Sequence, residues 1–206
     1  MKAIIFDMDG TLVDSMHMHF LGSKKIFEKY NIEFTPEDTQ KYAGIPVKHI
    51  IKEKLPHLSD EQIQEMMQEK MQFILNNMDE YAKPMPGAYE LLEDLKQAGY
   101  KLAIASGTRQ QIVNDCVKKL GFEKYLDCYL SSDLVSQGKP QPDIFLEVAK
   151  RLDVSAQNCW VIEDGESGMI GAKKAGMSVI GISDKNTIPA DIIVKELKDI
   201  TVAHFT

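Results

Sequence analysis

Hydrophobic positions along the chain follow two different periods. Short apolar runs at Ala3–Phe6, Lys101–Ala105, Cys128–Leu130, Cys159–Ile162 and Val179–Ile182, with a weaker one at Ile192–Val194, have the length and continuity of strands buried on both faces. Between them lie amphipathic stretches closed by glycine. Leu91, Leu92 and Leu95 share one face of a helix over Ala88–Ala98 that stops at Gly99. Arg109–Leu120 and Glu166–Ala175 stop in the same way at Gly121 and Gly176. Strand alternating with helix predicts an α/β fold built on a doubly wound, mostly parallel sheet.

The stretch from Ser15 to Lys83 departs from this alternation and predicts helices only. Asp14 and Ser15 are cap residues for a helix carrying Met16, Phe20, Phe27 and Tyr30 on one side, and Pro36 opens a second helix. Pro46 opens a third that ends at Pro56, and Ser59 with Gln62 forms a capping box that launches a long helix to about Met78. The stripe Ile63, Met66, Met67, Lys70, Met71, Ile74 and Met78 on that last helix reads as bundle core, with a pliable binding surface as the alternative. Ala82–Gly87, with two prolines, reads as a return linker. The expected organisation is therefore a Rossmann-like α/β catalytic core over residues 1–14 and 84–206, with an all-α helical cap inserted over residues 15–83.

Composition narrows what such a molecule can do. Lysine and arginine number 24 against 31 aspartates and glutamates, a net charge of −7, which argues against nucleic acid as a partner. An anionic small substrate then needs a local metal or lysine to reverse the field. Three scattered cysteines, Cys116, Cys128 and Cys159, fit buried free thiols rather than a disulfide framework or zinc site. No apolar stretch approaches the roughly 18 residues of a membrane helix and no secretory segment is evident, so the expectation is a cytoplasmic protein without a membrane partner. Oligomeric state is left open, and a monomer is compatible with everything above.

The candidate chemistry lies at the ends of the apolar runs, where open α/β sheets bind ligands. Asp7 and Asp9 follow the first run and, two residues apart in extended chain, face the same side, with Gly10 available for a sharp turn. Two carboxylates so close require a cation between them or a proton on one. Ser106-Gly107-Thr108 precedes a helix and offers hydroxyls and free N–H groups to a phosphate. Lys139 stands before Pro140 and Pro142, which restrain its approach. Glu163-Asp164 supplies a second acidic pair suited to magnesium.

Taken in order, these segments resemble the haloacid dehalogenase-like hydrolases, in the branch with a helical cap inserted after the first motif. The resemblance rests on Asp7-Met8-Asp9-Gly10-Thr11-Leu12-Val13-Asp14-Ser15, Pro86-Gly87, Ser106-Gly107, Lys139-Pro140-Gln141-Pro142-Asp143 and Glu163-Asp164-Gly165-Glu166-Ser167-Gly168. It spans nearly the whole chain, the cap matching only as a helical insertion, and departs from many relatives at Gly165, where they carry serine.

The resemblance implies a Mg²⁺-dependent enzyme acting on a small phosphorylated metabolite such as a sugar phosphate or phosphoglycolate. In it Asp7 is the nucleophile that forms an aspartyl-phosphate, and Asp9 protonates the leaving oxygen, then activates water. Ser106 and Lys139 hold the phosphoryl oxygens. Asp7, the Asp9 carbonyl and Asp164 hold the metal, with Glu163 a direct ligand or one step out through water. Gly107, Thr108, His19 and the cap residues Lys48 and His49 are the expected substrate contacts. Asp9 argues against dehalogenation, since dehalogenating members lack it. Phosphatase chemistry is the first reading and β-phosphoglucomutase-type phosphoryl transfer the alternative. Mutases of this branch place basic residues near positions 43 and 47, where this chain has Ala43 and Val47. A non-enzymatic phospho-receiver is a remote third, disfavoured because receivers carry no helical insertion after the first strand.

Overall fold

The computed structural model describes residues 2–42, 45–184 and 189–205. In chain order the elements are β1 (Ala3–Phe6), β2 (Val13–Asp14), α1 (Met16–Glu28), α2 (Pro36–Lys41), α3 (Val47–Lys54), α4 (Asp60–Tyr81), β3 (Lys83–Pro84), α5 (Ala88–Gln97), β4 (Lys101–Ser106), α6 (Gln110–Lys119), β5 (Cys128–Ser131), α7 (Asp143–Leu152), β6 (Cys159–Glu163), α8 (Glu166–Lys174), β7 (Ser178–Ile182) and β8 (Ile192–Val194). Six of the strands form one sheet in the order β5-β4-β1-β6-β7-β8, with every neighbouring pair parallel. All six correspond to apolar runs in the sequence.

The sheet is buried on both faces, which is why its strands read as continuous apolar runs rather than alternating ones. Side chains still alternate along each strand. Ile4, Phe6, Leu102 and Ile104 pack under α5 and α6, together with Leu92, Leu95 and Val113. Ala3, Ile5, Ala103 and Ala105 face the other way, against Ile144, Phe145 and Val148 of α7 and Met169 and Ala172 of α8. Three strands run one residue beyond their apolar run, to Ser106, Ser131 and Glu163. The backbone ladder does not depend on side-chain polarity, so it carries these first polar residues to the carboxyl edge in strand geometry. Asp7 is held similarly, its N–H donating to Ile162 O at 2.9 Å.

The four helices α1–α4 form the cap and own a separate apolar cluster. Phe27 stacks on Phe34 at 5.2 Å, and Ile26, Ile50, Ile51, Ile63 and Met66 pack around them. Ser59 and Gln62 make the expected capping box, with Gln62 N–H to Ser59 Oγ at 3.2 Å and Ser59 N–H to Gln62 Oε1 at 2.9 Å. Helix α4 runs past Met78 to Tyr81, and its stripe is not core throughout. Ile63 and Met66 belong to the cap cluster, and Ile74 and Met78 to the core cluster beside α6. Between these ends, Met67, Lys70 and Met71 line a cavity. The chain enters and leaves the cap through β2 and β3, an antiparallel pair with Val13 opposite Pro84 and Asp14 opposite Lys83. Two-residue strands carry no hydrophobic period, so the sequence does not announce them.

The cysteines are free, and burial pushes the Cys116 thiol up to about 12 and that of Cys159 to about 11. No helix among the described residues is long and apolar enough to cross a membrane.

Candidate active site

The loop after β1 turns tightly enough to point both aspartates at the carboxyl edge. Met8 O accepts from the N–H groups of Leu12 and Val13 at 3.1 and 2.8 Å, and Gly10 N–H donates to Val13 O at 2.8 Å. Gly10 has φ +89, and a Cβ there would lie 2.3 Å from Asp164 Oδ2. Only glycine permits both the turn and the approach of Asp164. A second close approach occurs at Gly168, where a Cβ would fall on Glu163 Oε1, so the first turn of α8 must be bare for Glu163 to reach inward.

Lys139 is the hub of the floor. Its Nζ donates to Asp7 Oδ1 and to Glu163 Oε1, both at 2.5 Å, and its side chain is 1% exposed. Burial alone would lower the lysine, but Asp7 and Glu163 outweigh it and hold Lys139 well above the usual range. Glu163 is further fixed by the Gly165 N–H on Oε2 at 2.8 Å, and Thr11 Oγ1 donates to Asp164 Oδ1 at 3.0 Å.

Asp7 and Asp9 occupy opposite electrostatic settings two residues apart. Burial raises Asp7 despite Lys139, with the charge of Asp9 adding to the rise. Burial acts on Asp9 too, but there His19, Ser15 and Thr108 prevail and hold it below the usual carboxylate range. Ser15 Oγ and Thr108 Oγ1 each donate to it at 2.6 Å, and His19 Nε2 lies 3.0 Å from Oδ1. Ser15 therefore does not cap α1 with its side chain, as the sequence suggested; its hydroxyl goes to Asp9.

The acidic groups exceed the cations available to them. One carboxylate oxygen from each of Asp7, Glu163 and Asp164 lies within 4.8 Å of the others. Burial pushes Glu163 up to about 8 and Asp164 to about 7, with their acidic neighbours contributing. Such a set, all hard oxygen donors and short of positive charge, fits a divalent ion such as Mg²⁺. The Asp9 carboxylate is not part of this trio, being taken up by its own donors.

Above the floor lies a cavity of about 200 Å³ between core and cap, lined by Asp7, Asp9, Lys139, Glu163 and Asp164 below and by α1–α4 above. Gly107 and Thr108 reach its wall. Ser106 is fully buried just beneath and accepts from the Thr108 N–H at 3.0 Å, which fixes the loop. Thr108 was expected to hold substrate, but its hydroxyl is committed to Asp9.

Lys48 and His49 are not brought to the cavity. Helix α3 turns Val47 and Ile50 inward at i and i+3, so the residues between point away. Lys48 is drawn to Asp60 at 3.9 Å, and His49 is exposed. Ala43, the other position of the mutase comparison, lies outside the described residues. Sequence reasoning missed Lys70, hidden in an apolar stripe, and Arg109, which also lines the cavity. Burial lowers Lys70 to about 8, against the pull of Asp9. The signal for it was a lone lysine at helical spacing among methionines and isoleucines.

Comparison with known proteins agrees with this geometry. The profile of the family described as haloacid dehalogenase-like hydrolase matches residues 4–182. A phosphorylated carbohydrates phosphatase of Thermotoga maritima is 34% identical over 87% of this chain and 84% of its own length. The β-phosphoglucomutase of Bacillus subtilis is 31% identical over 98% of this chain and 92% of its own. Among solved structures, β-phosphoglucomutase from Clostridium difficile superposes with a TM-score of 0.91 at 26% identity, covering 99% of this chain and 95% of that one. The chain belongs to the haloacid dehalogenase-like hydrolase family and is a phosphatase or phosphotransferase within it.

Proposed function

We propose that the protein is a Mg²⁺-dependent phosphatase that hydrolyses small phosphate monoesters through an aspartyl-phosphate on Asp7. The observation that carries this reading is the opposed support of the two aspartates. Asp7 Oδ1 is pinned by Lys139 at the cavity floor, whereas Asp9 is held by hydroxyls and His19 as a separate proton-handling group. Lys139 and the Gly107 N–H receive the phosphoryl oxygens. The Asp7 carboxylate attacks phosphorus, the bond to the alcohol oxygen breaks, and the electron pair leaves with that oxygen. Asp9 delivers the proton the alcohol needs, and the negative ester arriving beside it favours its protonated form. Water then attacks phosphorus, gives its proton to Asp9 and displaces the Asp7 carboxylate as free phosphate forms.

Asp7, Asp164 and the Asp9 carbonyl would hold Mg²⁺, which supplies charge neutralisation to the phosphoryl group. Glu163 has both oxygens engaged, by Lys139 and the Gly165 N–H, and acts from one step out by fixing Lys139.

The second reading is phosphoryl return to a sugar, and its support is the extent of the match to β-phosphoglucomutases. Against it stands the absence of a cation at Val47, together with Lys48 and His49 directed elsewhere. The test is phosphate release from sugar phosphates, phosphoglycolate and a chromogenic ester, with Mg²⁺ or with EDTA, beside conversion of β-glucose 1-phosphate in the presence of a bisphosphate primer. Release that requires Mg²⁺ is the expected result. Isomerisation without release makes the protein a mutase.

A further inference from the structure

Two facing helices of the cap meet the floor. Helix α1 brings Met16, His19 and Ser23 to the cavity at i, i+3 and i+7, and α4 brings Met67, Lys70 and Ile74 in the same spacing. The helices cross closely because α1 has Gly22 there. A Cβ on Gly22 would lie 3.3 Å from Lys70 Cγ and 3.3 Å from Phe73 Cδ1. The stem of Lys70 thus crosses α1 next to Ser23.

The polar groups of this wall differ in what they already hold. His19 is engaged with Asp9, its Nε2 lying 3.0 Å from Oδ1. Ser23 is 3% exposed, and its hydroxyl has no hydrogen-bond partner among the described residues. A serine within a helix can turn its hydroxyl back to the carbonyl one turn before it, and Ser23 does not. Nor is its oxygen sealed in packing, as those of Thr39, Ser132 and Ser167 are; it opens on the cavity. A hydroxyl kept from bulk water and left unpaired is costly, and a ligand atom that pairs with it removes the cost.

Position says what that atom is. Ser23 lies one helical turn, about 6 Å, beyond His19, and His19 marks the place of Asp9, which serves the leaving oxygen. Two carbons and one hydrogen bond cover that span. The group that reaches Ser23 is therefore carried on the carbon next to the ester carbon. A hydroxyl there can donate to Ser23 or accept from it. A methyl would leave Ser23 unpaired, and a carboxylate would add a negative charge beside the phosphate and Asp9.

We propose that Ser23 is a specificity-determining residue that hydrogen-bonds a neutral hydroxyl on the carbon next to the ester carbon of the leaving alcohol. The cavity then selects phosphates of polyols and sugars over phosphates of simple alcohols. This rests on the phosphatase reading and deepens it by naming the side chain that reads the alcohol.

The test compares ethyl phosphate, 2-hydroxyethyl phosphate and phosphoglycolate, which share the ester oxygen and first carbon and end in methyl, hydroxymethyl and carboxylate. With Mg²⁺ and wild-type protein, kcat/KM for 2-hydroxyethyl phosphate should exceed that for either of the others by about tenfold or more, a margin of the kind that unpaired polar groups impose on specificity. Ser23→Ala should bring the ratio of 2-hydroxyethyl to ethyl phosphate to about one. It should not lower the unfolding temperature, because alanine is the better helix former and the hydroxyl removed has no partner in the fold. A wild-type ratio near one overturns the proposal. So does a ratio that survives Ser23→Ala with both esters slowed, or a clear fall in unfolding temperature, since a structural role produces those. Phosphoglycolate used best means that the subsite reads an anion, and overturns it too. The same holds for a protein that cleaves sugar phosphates but not 2-hydroxyethyl phosphate. In each of these cases the protein is still a phosphatase. Failure to release phosphate from these esters and from sugar phosphates alike overturns the phosphatase reading itself.

Discussion

The floor and the wall of the cavity were built by opposite means. On the floor nearly every polar atom has an assigned partner: Lys139 joins Asp7 to Glu163, Thr11 holds Asp164, and Ser15, His19 and Thr108 hold Asp9. The wall is mostly rings and aliphatic chains, with Ser23 and Lys70 among them. The floor comes from strand ends of a sheet buried on both faces, where register fixes positions closely. The wall comes from four cap helices with their own small core. Rigid, charge-dense geometry suits the bond-breaking step, which is common to all phosphate esters. A mostly apolar wall with Lys70 at its margin suits discrimination among alcohols, and it can vary without disturbing the floor.

Breaking the floor should therefore cost orders of magnitude, where breaking the wall costs factors. The largest effect is expected from Asp7→Asn, which keeps the shape but removes the nucleophile. Turnover with the best ester should fall by about 10⁴ or more, as for other catalytic units with one member removed. The fold should persist, because Lys139 retains Glu163 as a partner. Phosphate release by purified Asp7→Asn at a tenth of the wild-type rate would sink the covalent mechanism.

Gly10→Ala attacks the floor without touching a reacting atom. Its Cβ would displace Asp164, 2.3 Å away, and distort a turn held at φ +89. Loss of about 10- to 100-fold in Mg²⁺ affinity is expected, the range for disturbing the surroundings of a metal site. Titration of activity against Mg²⁺ measures it, and an unchanged midpoint would show that Asp164 is not a ligand.

Lys70 sits where the two halves meet. It is charged below about 8, so any help it gives Asp9 or the phosphoryl group fades as pH rises through that value. Wild-type kcat/KM should decline on that alkaline side. Lys70→Met should be about tenfold slower at pH 7, in line with losing one charged contact, and should lack that limb. A limb that survives in Lys70→Met belongs to another group.

These contrasts bear on what the sequence could reveal. The six sheet strands were legible because burial on both faces writes a continuous apolar run, and the floor residues because polar side chains stand where those runs end. The placement of Asp7, Asp9, Lys139, Glu163 and Asp164 around one cavity follows from parallel strands ending on one edge. What escaped depends on helix rotation. Lys48 and His49 were expected at the substrate from a helix opened by Pro46, but only the α3 register tells that Val47 and Ile50 face inward and Lys48 and His49 do not. Lys70 escaped because an apolar stripe is read as core whether it meets a neighbour or an open cavity. Thr108 was assigned to substrate because its bond to Asp9 joins residues 99 apart.

The smallest effects, and the ones that separate floor from wall most directly, are in stability. Glu163 and Asp164 have folded-state values of about 8 and about 7, above the unfolded ones near 4.5 and 3.8. The folded state thus binds protons more readily than the unfolded chain, and metal-free protein should lose stability as pH rises from about 4.5 through about 8. Lys139, raised by the same carboxylates, offsets part of this across the whole window, since it stays charged there. A divalent ion removes the penalty by taking the place of the missing protons. Unfolding temperature should therefore rise with Mg²⁺ by several degrees at pH 8 and by less at pH 6, given about 2–4 °C per kcal/mol for a chain this size. Phe34→Leu in the wall should lower the unfolding temperature by a similar amount through lost packing, but equally at both pH values and with or without the metal. A Mg²⁺ shift that is the same at pH 6 and pH 8 would mean that the ion relieves no carboxylate on the floor, and the excess of acid there would need another explanation.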